Sequence, residues 1–194
     1  MKKLTLLLSI FVCACGSESN TNSTESQTTA EAQSALELKN ACDFISAADV
    51  TEMFNIQTEG METYAKTPSP NQTTCQYIWQ GTASPSSGHQ LMITITMNDE
   101  KAEMPRRFSN MLRIHLQDGM MGVKQENIKP SPVEGLGEFA YHWAQLSFQN
   151  TQKICFQKDE NYLVEVMYNA NEAVDNESIK SKLLEISNTL QTKL

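Results

Sequence analysis

The side chains of this chain best able to do chemistry are His89, His115 and His142, five cysteines and ten methionines. The histidines have no metal-ligand spacing with one another or with the cysteines, so they read as surface or helix-face residues and not as a zinc set. Met120, Met121 and His115 come nearest to a soft copper site. Met53, Met92 or Met97, Met104 and Met111 hold core-like positions, however, and core filling is the preferred reading for methionine here. The chain has no Gly-x-Ser-x-Gly elbow. Cys155, in Lys153-Ile154-Cys155-Phe156, has no histidine beside it and reads as a buried thiol. Gly135-Leu136-Gly137 precedes a strand, whereas a phosphate loop needs a following helix. No catalytic residue, metal or cofactor is therefore expected. Tyr77, Trp79, Tyr141 and Trp143 are candidates for lining a ligand groove, although alternating strand aromatics are more often core or cross-strand pairs.

Two cysteines point to a different chemistry. Lys2 and Lys3 precede an uncharged stretch from Leu4 to Val12, the layout of a signal peptide. Nine helical residues reach roughly 14 Å, about half of a ~30 Å hydrocarbon core, so this stretch cannot span a membrane. Val12-Cys13-Ala14-Cys15 then resembles the lipobox of bacterial lipoproteins. The resemblance implies cleavage between Ala14 and Cys15, diacylglycerol on the Cys15 thiol and acylation of the new amine, giving stable anchoring to an envelope membrane. Gly16, where enterobacterial inner-membrane lipoproteins carry aspartate, favours the outer membrane if the envelope is Gram-negative.

Removing residues 1–14 leaves 180 residues, with 13 basic against 23 acidic side chains. That size suits one substantial core. A formal charge of −10 argues against nucleic acid or an anionic bilayer surface as partner, since both need basic patches. Residues 15–40 read as the lipidated cysteine and a flexible tether: Gly16 to Thr29 offers no aromatic or branched aliphatic residue to bury. The globular domain is expected over 41–194. Three cysteines remain there, enough for one pair and one spare. Cys42 with Cys75 is favoured, since one precedes a helix and the other opens a strand, with Cys75 to Cys155 left open.

Ser46 with Asp49 three positions on suggests a capped helix over Ala47 to Phe54, ended by Asn55. Gln57 to Thr74, with Pro68 and Pro70, reads as a loop with room for one strand near Met61 to Ala65. Alternation predicts strands at Cys75 to Trp79 and Leu91 to Met97. Helical spacing then predicts Met104 to Leu116, with Pro105 in the first turn and Gly119 beyond the end. Strands are expected at Glu138 to Trp143, Gln145 to Phe148, Lys153 to Gln157 and Tyr162 to Tyr168, with tight turns at Asn150-Thr151 and at Lys158 to Asn161. Ile179, Leu183, Ile186, Leu190 and Leu194 mark a closing amphipathic helix from Asn176. The pattern predicts an α+β fold: an antiparallel sheet with helices packed on one face, as two layers or a sandwich.

Three segments carry a further resemblance. Ala41-Cys42-Asp43-Phe44-Ile45-Ser46, Cys75-Gln76-Tyr77-Ile78-Trp79 and Val133-Glu134-Gly135-Leu136-Gly137-Glu138-Phe139-Ala140 resemble segments of small bacterial envelope lipoproteins of unknown function, related to extracellular sensor domains of bacterial serine/threonine kinases. The resemblance implies a Cys42–Cys75 disulfide and a mixed antiparallel sheet with helices, and no catalytic residues. The chain departs from the pattern by adding Cys155.

The expected function is a membrane-anchored, non-enzymatic envelope domain that binds a protein partner or a small apolar ligand, as accessory or sensor. Two other classes compete with it. One is an envelope enzyme whose site assembles from scattered residues such as Glu138, His142 and Asp159. The other is a structural or immunity-type factor that shields a neighbour. A cleft gathering three or more ionisable groups with shifted pKa values would speak for the enzyme.

Overall fold

The computed structural model describes residues 38–56, 60–84, 86–121, 127–145 and 150–194. The expected signal peptide, Cys15, nearly all of the expected tether, and most of the strand expected at Gln145 to Phe148 lie outside them. Leu36–Leu194 forms a compact unit.

That unit opens with a 3-10 turn, Ala41–Asp43, and helix α1, Ala47–Phe54. Ser46 caps α1 as expected, with its hydroxyl accepting from Asp49 N–H while the Asp49 carboxylate accepts from Ser46 N–H. Asn55 ends it in the left-handed region (φ 53°), which asparagine tolerates better than most residues. Three strands follow: β1 (Met61–Ser69), β2 (Gln72–Gln80) and β3 (Gly88–Met97). Helix α2 (Arg107–Asp118), the short pair β4 (Met120–Met121) and β5 (Asn127–Ile128), and β6 (Ser131–Pro132) come next. The chain ends with β7 (Tyr141–Gln145), β8 (Asn150–Lys158), β9 (Tyr162–Ala170) and α3 (Asn176–Lys193).

Seven strands form one antiparallel sheet in the order β1-β2-β3-β9-β8-β7-β6. The two hairpin systems meet at β3 and β9, where Ile93 faces Val166 and Ile95 faces Val164. The fold is α+β. No helix among the described residues is long and apolar enough to cross a membrane.

Strand alternation divides the core in two. One face carries Cys75, Tyr77, Leu91, Ile93, Ile154, Phe156, Val164, Val166 and Tyr168, packed against α1 and against Ile179, Leu183, Ile186 and Leu190 of α3. The other face carries Tyr141, Cys155 and Leu163, covered by Phe108 and Leu112 of α2. The layering thus differs from helices on one face alone: α1 and α3 share one side, and α2 closes the opposite side over the β7-β8-β9 end. Fully burying one such apolar side chain contributes about 1.5–3 kcal/mol.

Cys42 and Cys75 are joined in a disulfide that ties the 3-10 turn to β2. Cys155 is a buried free thiol. Several boundaries move from their expected places. Strand β1 runs on through Pro68 to Ser69, and Asn150 and Thr151 belong to β8, not to a tight turn. Helix α2 starts at Arg107, so Pro105 lies in the turn ahead of it.

Candidate functional site

The antiparallel register sets Trp79 at the end of β2 directly opposite His89 at the start of β3, and Leu91 opposite Tyr168 of β9. Paired residues share a face, so Trp79, His89 and Tyr168 all point toward α1 and α3. The Trp79 and His89 rings stack at 5.3 Å with 7° between planes. Phe54, the last residue of α1, stacks on Tyr168 at 5.7 Å and tilts against Trp79 at 5.2 Å. Offset and tilted arrangements of this kind are the favourable ones for aromatic rings.

A hydrogen-bonded line runs through this aromatic wall. His89 Nε2 lies 2.6 Å from Glu172 Oε1, and His89 Nδ1 lies 2.5 Å from the Tyr168 hydroxyl. A carboxylate only accepts, so Nε2 carries the proton; in the neutral ring Nδ1 then accepts from the Tyr168 O–H. Burial and the Glu172 charge push the Tyr168 phenol up, which keeps it protonated as this arrangement needs. Glu172 sits in the β9–α3 connection and accepts N–H bonds from Thr82 and Ala83 in the β2–β3 turn at 3.3 and 2.8 Å. The Ala83 amide, aided by Ser87, Thr82 and His89 against the cost of burial, holds the Glu172 carboxyl down at about 2. Gly81 leaves room for it, since a Cβ there would stand 2.6 Å from Glu172 Oε2.

Beside this wall opens a cavity of about 790 Å3, within the range of small-molecule sites. Phe54, Trp79, Tyr168 and His89 border it on one side, and Val174 and Ile179 from the start of α3 on another. Lys182 reaches in from α3, its ammonium 4.8 Å from the Phe54 ring centroid. Asp175, also at the cavity, is occupied as the N-cap of α3, accepting from Glu177 and Ser178 N–H. Two ionisable groups with shifted pKa values meet here, Tyr168 and Glu172.

The four candidate groove residues separate. Trp79 lines the cavity. Tyr77 lies deeper on the same face, its hydroxyl donating to the Ile45 carbonyl and burial pushing its pKa up to about 12. Tyr141 and Trp143 are on the α2 side of the sheet. There the Tyr141 hydroxyl meets His115 Nδ1 at 3.0 Å, and burial raises the Cys155 thiol to about 12. Cys155 therefore stays protonated and unreactive.

His142 is buried and bonds Gln152, which in turn donates to Asn176 at the start of α3. Burial lowers its pKa. Glu138 and Asp159 are exposed, and Asp159 pairs with its neighbour Lys158. No hydrogen bond or ion pair among the described residues gathers Glu138, His142 and Asp159. No group of three or more His, Cys, Asp or Glu among the described residues could hold a metal.

Sequence reading missed His89 and Glu172, which are 83 positions apart. The signal that would have found His89 was the hairpin register, which sets a histidine across from a tryptophan. Glu172 had none, because its partners are His89 and two backbone amides of a turn, all more than 80 positions away. No family model, curated protein or solved structure matches the chain.

Proposed function

We propose that this chain is a lipid-anchored envelope protein whose domain is a binding module. Its cavity between α1, the start of α3 and the ends of β2, β3 and β9 takes a small ligand with a flat apolar part. The observation that carries the reading is the 790 Å3 cavity walled by Phe54, Trp79 and Tyr168. A planar ligand would lie against Phe54 and beside Trp79, over the buried Tyr168, with Lys182 at hand for a polar or anionic end. Both nitrogens of His89 are already engaged, so in this state no lone pair is left to act as a general base on a bound molecule. That supports binding over turnover. The Val12-Cys13-Ala14-Cys15 run supports anchoring through lipid on Cys15, by preference in the outer membrane of a Gram-negative envelope.

The test uses the two tryptophans. With Trp143→Phe, Trp79 becomes the sole indole, and titration with 8-anilinonaphthalene-1-sulfonate should quench it saturably at one site. Lys182→Ala should weaken the anionic probe, and Phe54→Ala should weaken any planar ligand. A non-saturable response, or one that neither substitution changes, overturns the reading. For the anchor, Cys15→Ser should release a folded, soluble domain, and persistence of that variant in membranes would refute it.

A further inference from the structure

Strand β1 is an outer strand of the seven-stranded sheet, bonded to β2 on one side. Its residues from Glu62 to Pro68 are exposed on both faces, and only Met61 packs against the core. A nine-residue strand that buries almost nothing and, among the described residues, has a strand neighbour on one side only is a template for another strand. Tyr64, 43% exposed, is one of the most exposed large hydrophobic side chains among the described residues. Glu62 and Lys66 are the two charges of β1, placed symmetrically about it.

We propose that β1 pairs with β1 of a second copy of this chain, antiparallel about a two-fold axis through Tyr64. In that register Glu62 of each copy lies opposite Lys66 of the other, Thr63 opposite Ala65, and Met61 opposite Thr67. Tyr64 meets its own counterpart at the axis. Shifting the register by two in either direction sets Tyr64 against a charged residue and loses both ion pairs, so charge complementarity selects one alignment. Glu62, Tyr64 and Lys66 share one face, since they pair with Ile78, Gln76 and Thr74 of β2. The two opposite-charge crossings and the aromatic pair therefore line up in a row across the seam, the arrangement that stabilises neighbouring strands. Pro68 would face Gly60, just past the charged pairs, where a residue without N–H ends the ladder at no cost. The contact is isologous, as two-fold dimers require. A single strand pair buries less than a standard interface, so the dimer is a weak one that responds to concentration.

Sedimentation velocity on the purified protein across the micromolar range should show a monomer–dimer equilibrium. Lys66→Glu sets like charges at both crossings and should weaken association about tenfold; Glu62→Lys should do the same. Mixing the two variants restores opposite charges at every crossing, and a heterodimer should form at least as tightly as the wild-type dimer. A protein monomeric throughout, a dimer indifferent to either substitution, or variants that fail to rescue one another would each overturn the proposal. Both substituted side chains are solvent-exposed, so loss of folding does not confound the result.

Discussion

His89 and Glu172 meet at 2.6 Å across the seam between the β2–β3 turn and the β9–α3 connection. Their side chains are 11% and 8% exposed, so the pair is shielded from water. It fastens the start of β3 to the β9–α3 connection beside the cavity, and the carboxylate gives it a dependence on pH.

The folded-state pKa of Glu172 is depressed from 4.5 to about 2. A depressed carboxylate stabilises the fold above its unfolded pKa, and that contribution is lost as pH falls through the folded value. Glu172→Gln should therefore destabilise the protein near pH 6, and the deficit should narrow as pH drops from 4.5 toward 2. Urea denaturation at pH 6 and pH 3 reads this directly. An equal deficit at both would show that the carboxylate charge plays no part.

Gly81→Ala would push a methyl into the Ser87 hydroxyl and the Glu172 carboxylate. A cost of about 1–3 kcal/mol is expected, typical of overpacking. Because both changes disturb the Glu172 side of that contact, Gly81→Ala with Glu172→Gln should cost less than the two separately. Full additivity in a double-mutant cycle would separate the glycine from the carboxylate.

Replacing Cys42 and Cys75 by alanine should cost about 3–4 kcal/mol, the loop-closure value for a separation of 33 residues. Peptide mapping without reduction should recover the Cys42–Cys75 link. Cys155, 1% exposed, should react with a thiol reagent only on unfolding.

Leu112 of α2 and Leu183 of α3 are both fully buried, on opposite faces of the sheet. Each leucine-to-alanine change should cost about 2–5 kcal/mol. With a sheet between them the two should add to within about 0.5 kcal/mol. Strong coupling would mean that the two cores are not independent.

What was legible in the sequence was local. Ser46 and Asp49 announced α1 because a capping box is written in four residues, and the apolar repeat of Ile179, Leu183, Ile186 and Leu190 announced α3. Helix α2 shows where local reading stops. Its N-cap, Arg106, makes no side-chain capping bond. Glu160 of the β8–β9 turn serves instead, accepting from Phe108 and Ser109 N–H at 3.2 and 3.1 Å. A cap lent by a residue 52 positions away leaves no trace near the helix. Strand β1 was legible only in part: a strand near Met61 to Ala65 was expected, but its run through Pro68 to Ser69, exposed on both faces as far as Pro68, has no alternation to read. The missing alternation around Cys155 had meaning of its own. Ile154 and Phe156 face α3 while Cys155 faces α2, so the strand is apolar on both sides because both are covered.

The Cys42–Cys75 link also decides how the domain would carry a mechanical load. A pull on the chain ahead of the 3-10 turn reaches Cys42 and crosses the sulfur bridge to β2, in the interior of the sheet. The span between the two cysteines, with α1 and β1, lies off the line of force and cannot be drawn out. Lys193, donating to the Phe44 carbonyl at 2.6 Å, clips the end of α3 to the first residues of that protected span. Under tension the strands next to the bridge would bear the stress, and the cavity wall at Phe54 would keep its shape until they gave way.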